Sequence, residues 1–102
     1  MSNRIETPGA WAGVPLHVRS RTLGQEVVLL DLHREKYFGL DGVGARVWAL
    51  LGKGLSRALI LDQLHQEFDA DIELLSSDVD ALVSHLEQCG LIEIKDQAKA
   101  DS

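Results

Sequence analysis

The sharpest pattern in the chain lies over residues 27–51, VVLLDLHREKYFGLDGVGARVWALL. Residues 27–32 are apolar except for Asp31 and open with two β-branched valines, which predicts a strand buried on at least one face. Residues 33–36 make a polar turn, and 36–40 return as a short aromatic strand. Asp41 stands where a helix N-cap is wanted, and Val43, Val47, Trp48 and Leu51 then share one helical face. Gly52 follows at the place where a helix end takes φ > 0. A strand as short as 36–40 is expected at the edge of its sheet.

On the N-terminal side, residues 16–21 alternate, with Leu16 and Val18 on one side and His17, Arg19 and Arg21 on the other, the period of a half-buried strand. A turn over 22–25 leads into the strand 26–32, so that three strands joined by short turns form an antiparallel meander. On the C-terminal side, Ser56 is an expected N-cap for a helix that buries Leu59, Ile60, Leu64 and Phe68. Residues 69–75 are expected to connect, and Ser77 with Asp80 resembles a capping box. Val79, Leu82, Val83, Leu86 and Cys89 mark the apolar stripe of a third helix, Gly90 stops it, and 91–94 suggest a short terminal strand. Residues 1–15, with both prolines, and 95–102 are expected to be flexible flanks of a domain over 16–94. Trp11 is expected to rest on that domain as a loop aromatic.

Length and composition narrow the setting. The 102 residues, 45% of them apolar, make one globular domain. No apolar run approaches the roughly 20 residues that cross a bilayer, no secretory signal pattern opens the chain, and Cys89 has no second cysteine to pair with. These features point to a cytoplasmic protein without membrane contact. Charge is uneven: residues 1–57 hold eight Lys/Arg against five Asp/Glu, a net of +3, while 58–102 hold two against eleven, a net of −9, together the −6 of the whole chain.

Catalytic and metal-binding chemistry is looked for in vain. His17, His33, His65 and His85 fall on different elements, and His85 with Cys89 gives two ligands where a zinc site needs three or four. Asp69, Asp71 and Glu73 have the spacing of a calcium loop, but the sixth position is Leu74 instead of glycine and the twelfth is Asp80 instead of glutamate. No Ser/His/Asp order, phosphate-binding loop or dinucleotide fingerprint is present. The chain is expected not to be an enzyme and to hold no cofactor.

The pattern L-L-D-L-x-x-x-x-Y-F-x-L-x-x-x-G-A-x-V-W-x-L-L, continued by L-E-Q-C-G-L-I near the end, resembles the family of coenzyme PQQ synthesis protein D. Its domain (PqqD-like) is reused as the precursor-peptide (RiPP) recognition element of ribosomal peptide pathways, lasso-peptide systems among them. The resemblance implies an α+β fold of the winged helix-turn-helix type, a three-stranded antiparallel sheet followed by three helices. It also implies an adaptor in which a leader peptide adds as a strand to 36–40 and lies against the third helix. Carried onto this sequence, the peptide-binding residues are Tyr37, Phe38 and Gly39 on the strand and Val79, Leu82, Val83 and Leu86 on the helix, about half of the helix set being core only. Arg34 and Lys36, opposite Asp78 and Glu87, are expected to rim the groove. Implied partners are the leader peptide and a modifying enzyme such as a radical SAM enzyme or a leader peptidase. The strand pair is closer to the generic recognition elements than to the quinone-cofactor members. A second expectation is a protein–protein module, a monomer or weak homodimer, using the same open edge.

Winged helix-turn-helix domains often bind DNA through their last helix, which then needs Arg or Lys near the phosphates. Residues 77–90 carry Asp78, Asp80 and Glu87 and no Lys or Arg. A mobility-shift assay with duplex DNA at physiological salt is therefore expected to give no shift; submicromolar, salt-sensitive binding would remove the adaptor reading.

Overall fold

The computed structural model describes residues 10–95. Its elements, in order, are β1 (Ala12–Gly13), β2 (Val18–Leu23), β3 (Glu26–Asp31), β4 (Lys36–Leu40), α1 (Gly42–Gly52), α2 (Arg57–Glu67), α3 (Ile72–Gln88) and β5 (Glu93–Ile94). The strands β2, β3 and β4 form a three-stranded antiparallel sheet in that order, and three helices follow: an α+β fold. The strand pair β1 and β5 is separate from it and joins the two ends of the domain.

Local sequence sets the two hairpins. Leu23 pairs with Glu26 across a two-residue turn, and Gly24 supplies the φ of 65° that so tight a reversal requires. The β3–β4 reversal is longer: Asp31 pairs with Lys36, and Glu35, at φ 57°, donates its N–H to the Asp31 carbonyl at 2.7 Å. Alternation then sorts the side chains. Val27, Leu29 and Asp31 face the helices and are buried, Phe38 and Leu40 lie opposite Leu29 and Val27 and are half-buried, and Tyr37 and Gly39 face outward.

The first helix, α1, is the hub. It touches β1, β3, α2 and α3, and Ala45, Val47, Trp48, Leu50 and Leu51 are all buried, so that it is covered on most of its circumference. Ile60, Leu61 and Leu64 of α2 and Leu75, Val79, Val83 and Leu86 of α3 complete the core with Leu91 and Ile92. Two arginines brace its outside. Arg46 makes paired bonds to Glu67, and Arg57 makes paired bonds to Asp80 and a third to Ser76, tying the start of α2 to α3.

Several sequence expectations are corrected. Leu16 is 89% exposed, because the Val18 N–H bonds to the Pro15 carbonyl in a turn that precedes the strand, and β2 begins only at Val18. Gly52 ends α1, but the left-handed residue is Gly54, at φ 78°. At the other end of α1, Asp41 occupies the N-cap position without a side-chain cap bond. In α2 Ser56 caps as expected, but Leu59 is exposed and Leu61 takes the buried place. The third helix starts at Ile72, capped by Asp71, whose carboxylate accepts the Glu73 N–H at 2.9 Å. Ser77 is thus a residue inside the helix, and Asp80 is an ion-pair partner.

The N-terminal expectation divides. Residues 1–9, like 96–102, lie outside the described residues, but Trp11 and Ala12 belong to the core. The Trp11 N–H donates to the Leu55 carbonyl at 3.0 Å, its carbonyl accepts from the Lys95 N–H at 2.8 Å, and the Arg57 guanidinium lies 5.9 Å from its ring centroid. Trp11 therefore closes the body that the sequence pattern begins at residue 16. Trp11→Ala is expected to cost about 3 kcal/mol by removing a buried aromatic side chain. Urea denaturation reads this directly, and an unchanged midpoint would place the tryptophan outside the cooperative core.

Candidate functional site

Two points of approach bring the β3–β4 hairpin and α3 together. At one end the Arg34 guanidinium reaches from the β3–β4 turn to the Cys89 carbonyl at 3.1 Å. At the other, Leu40 and Leu82 approach a common point above Gly44: a Cβ placed there would meet Leu40 Cδ2 and Leu82 Cδ2, both at 3.7 Å. Between these contacts the strand runs from 34 to 40 while the helix runs back from 89 to 82, so the two are antiparallel. The helical stretch is roughly 10 Å long and β4 itself about 13 Å. Near these points Phe38, Leu40, Val43 and Leu82 are half-buried apolar residues packed on the core.

The turn that aims β4 is organised by Asp31. Its side chain is fully buried, and its Oδ1 accepts the backbone N–H groups of His33 at 2.9 Å and Arg34 at 3.1 Å. Oδ2 accepts from Arg34 Nη1 at 3.0 Å, the same nitrogen that donates to Cys89. Burial alone would raise the pKa of this carboxyl, but the N–H of Arg34, its guanidinium and the N–H of His33 outweigh that and hold it below the ordinary aspartate value. Beside this network His17 and His33 stack with ring centroids 4.1 Å apart, and His17 Nε2 lies 3.2 Å from the Gly90 carbonyl. Two strands and a helix end thus meet at one corner.

Backbone alternation decides which groups β4 offers. The Leu32 N–H donates to the His17 carbonyl at 2.8 Å, so the even-numbered residues of β3 bond toward β2 and Val27, Leu29 and Asp31 bond toward β4. Their partners Leu40, Phe38 and Lys36 therefore spend their N–H and C=O groups inside the sheet. Tyr37 and Gly39 turn theirs to the open side. No neighbouring atom lies within 4 Å of a Cβ built on Gly39.

The sequence-predicted residues distribute as follows. Lys36, Tyr37, Phe38 and Gly39 are on the edge strand, with Tyr37 68% exposed. Of the four apolar helix residues, Val79, Val83 and Leu86 are fully packed in the core, and Leu82 alone is half-buried at the groove. Asp78 and Glu87 are exposed on α3, while Arg34 is engaged by Asp31 and the Cys89 carbonyl instead of standing opposite them as a free charge. Sequence reasoning missed Leu40, Val43 and Gly44. The signal for Leu40 was present in the alternation with Phe38; Gly44 is distinguished only by the close approach of two leucines. Cys89 is half-buried with its Sγ 3.8 Å from His85 Nε2, and among the described residues no cluster of three or more His, Cys, Asp or Glu is arranged to hold a metal. No described helix is long and apolar enough to cross a membrane.

Three comparisons bear on this geometry. The family model for coenzyme PQQ synthesis protein D matches residues 26–92. Among solved structures the chain is similar to TbiB1 in complex with the TbiA(beta) leader peptide, at 34% identity and a TM-score of 0.76, with 79% of this chain and 94% of that one covered. It is also similar to a lasso peptide synthetase B1 complexed with the leader peptide, at 24% identity and a TM-score of 0.75, with 81% and 98% covered, a likeness that bears on the fold alone. No curated protein matches the chain.

The Asp31 network carries a pH prediction. Its carboxyl and that of Glu67, which the Arg46 and Gln63 side chains hold down to about 2, are both lowered in the folded state. The unfolded chain then binds more protons in acid, so this stabilisation is complete above about pH 4.5 and is lost as pH falls toward 2. Asp31→Asn is expected to lower the melting temperature at pH 7 and to flatten its decline between pH 5 and pH 2. Parallel wild-type and variant curves would mean that the carboxylate is not what holds the turn.

Proposed function

The chain belongs to the family of coenzyme PQQ synthesis protein D, and we propose that it is a non-catalytic adaptor that captures the leader segment of a ribosomally made precursor peptide. The leader adds as a fourth strand to β4 and lies in the groove against α3. The observation that carries this reading is the match between an open strand edge and an apolar floor: the free N–H and C=O groups of Tyr37 and Gly39 stand beside Phe38, Leu40 and Leu82. Backbone pairing supplies sequence-tolerant affinity and the floor supplies selectivity. The similarity to TbiB1, seen with a leader peptide, supports the same mode here and favours a lasso-type pathway over the quinone-cofactor one.

In this reading Tyr37 and Gly39 bind through their backbone, Phe38 and Leu82 through their side chains, and Val79, Val83 and Leu86 support the groove from below. Lys36, Asp78 and Glu87 form its charged rim, while Arg34 sets the turn. The bound leader is presented to a separate modifying enzyme, of which a leader peptidase is the best fit.

A proline scan separates the roles. Tyr37→Pro and Gly39→Pro remove donors that point outward, leave the β3–β4 ladder intact, and are expected to fold while losing roughly tenfold or more in affinity for a synthetic leader peptide. Lys36→Pro and Phe38→Pro remove ladder donors and are expected to unfold the hairpin. Amide exchange at Tyr37 and Gly39 slows when the leader is added. If the folded variants bind normally and exchange slows only along α3, the partner docks on the helix and strand addition is wrong.

A further inference from the structure

The sheet has a second open edge, β2, and among the described residues nothing pairs with it. Alternation sorts it as it sorts β4. His17, Arg19, Arg21 and Leu23 spend their backbone groups on β3, so Ser20 and Thr22 turn N–H and C=O to the open side, while the Val18 N–H is held by Pro15. The side chains divide between the two faces of the sheet. Ser20 and Thr22 face the helices, and Arg19 and Arg21 lie on the outer face across from Leu30 and Val28. Next to Thr22, the sheet and α1 part around a cleft of about 460 Å³ whose walls include Thr22, Val27, Ala45, Ala49 and Phe68. Arg46 at its rim is spent on Glu67. Arg21 has no carboxylate partner among the described residues, Arg19 gives its guanidinium to the Leu16 carbonyl, and the acid of this hairpin, Glu26, sits at its far end opposite Leu23.

We infer that β2 is a second strand-addition edge, which takes an extended acidic segment of a partner protein: alternate carboxylates meet Arg19 and Arg21, and the intervening apolar side chains enter the α1 cleft. Ser20 and Thr22 supply the backbone bonds, the cleft supplies the apolar seat, and the arginines select the sign of the partner's charge. A second copy of this chain fits poorly, since antiparallel self-pairing about Ser20 sets Arg19 directly opposite Arg21 on one face. The inference does not rest on the β4 reading, because the two edges lie on opposite sides of β3.

The test is an amide-resolved titration of the full chain, labelled with ¹⁵N, using a synthetic seven-residue peptide of alternating glutamate and valine. A control peptide carries lysine in place of glutamate. The acidic peptide is expected to shift Ser20 and Thr22 and slow their exchange while Tyr37 and Gly39 stay unmoved, and the lysine peptide is expected to do neither. Arg21→Glu, on an exposed residue, is expected to fold and to weaken binding roughly tenfold at low salt. Thr22→Pro removes an outward donor without touching the ladder and is expected to abolish it. Four results would overturn the inference: no shift at millimolar peptide, equal binding of the lysine peptide, shifts confined to Tyr37 and Gly39, or shifts at Ser20 and Thr22 that follow protein concentration alone and so mark a second copy.

Discussion

The meeting of β4 with α3 depends on one buried carboxylate. Asp31 ends β3 with no exposed surface, and a charge there persists only because three donors converge on it. Two of them are backbone N–H groups of the turn, which fix the reversal and with it the register of β4. The third is a guanidinium nitrogen shared with the last turn of α3, which fixes where the helix ends relative to the strand. Without the carboxylate the turn loses its internal acceptor and Arg34 loses the partner that aims it. The groove is therefore held from a point outside itself, and its own residues remain available to a ligand.

The sheet is small enough that both outer strands are open, and the side chains keep the two edges distinct. β4 offers Tyr37 and Gly39 beside a floor that includes Leu82, with the acidic α3 as its wall; β2 offers Ser20 and Thr22 beside Arg19 and Arg21. An open edge pairs with whatever extended chain is offered unless charge or shape discriminates. Here the charges differ at the two edges: two arginines line the outer face of β2, while Lys36 on β4 stands with the acidic residues of α3.

How much of this was legible in the sequence follows from which signals are local. Strand β4, α1 and the apolar stripe of α3 repeat with their own periods, and their residues could be read one element at a time. The resemblance supplied the arrangement and the binding mode, which periodicity does not encode. Trp11 rests on the domain as expected, but the depth of its burial, and with it the order of the segment around it, depends on Leu55, Arg57 and Lys95, all distant in sequence. Ser77 reads as a cap because it has a partner three residues on, yet Asp71 has the same chemistry about 1.7 turns earlier, and the helix begins there. Leu16 fails for a similar reason: two-residue alternation does not know that a proline turn precedes the strand. Asp31 looked like a polar interruption of an apolar run, and nothing local distinguishes such an interruption from the residue that anchors the turn.

The energetics of strand addition say where selectivity must reside. Tyr37 and Gly39 offer four backbone groups, worth about 0.5–1.5 kcal/mol each in net terms, or roughly 2–6 kcal/mol together. Ordering the backbone of a five-residue segment costs about 1–2 kcal/mol per residue, so backbone pairing alone falls short of stable binding. The remainder has to come from apolar burial, at about 1.5–3 kcal/mol for each side chain taken fully out of water. In the proposed mode that surface includes Phe38, Leu40, Val43 and Leu82, whereas Val79, Val83 and Leu86 are already enclosed. Two or three ligand side chains on this floor are enough to turn the balance, and a ligand that lacks them makes the same hydrogen bonds without being held. In the proposed mode the hydrogen bonds set where a peptide lies, and apolar burial on these residues decides which peptide stays.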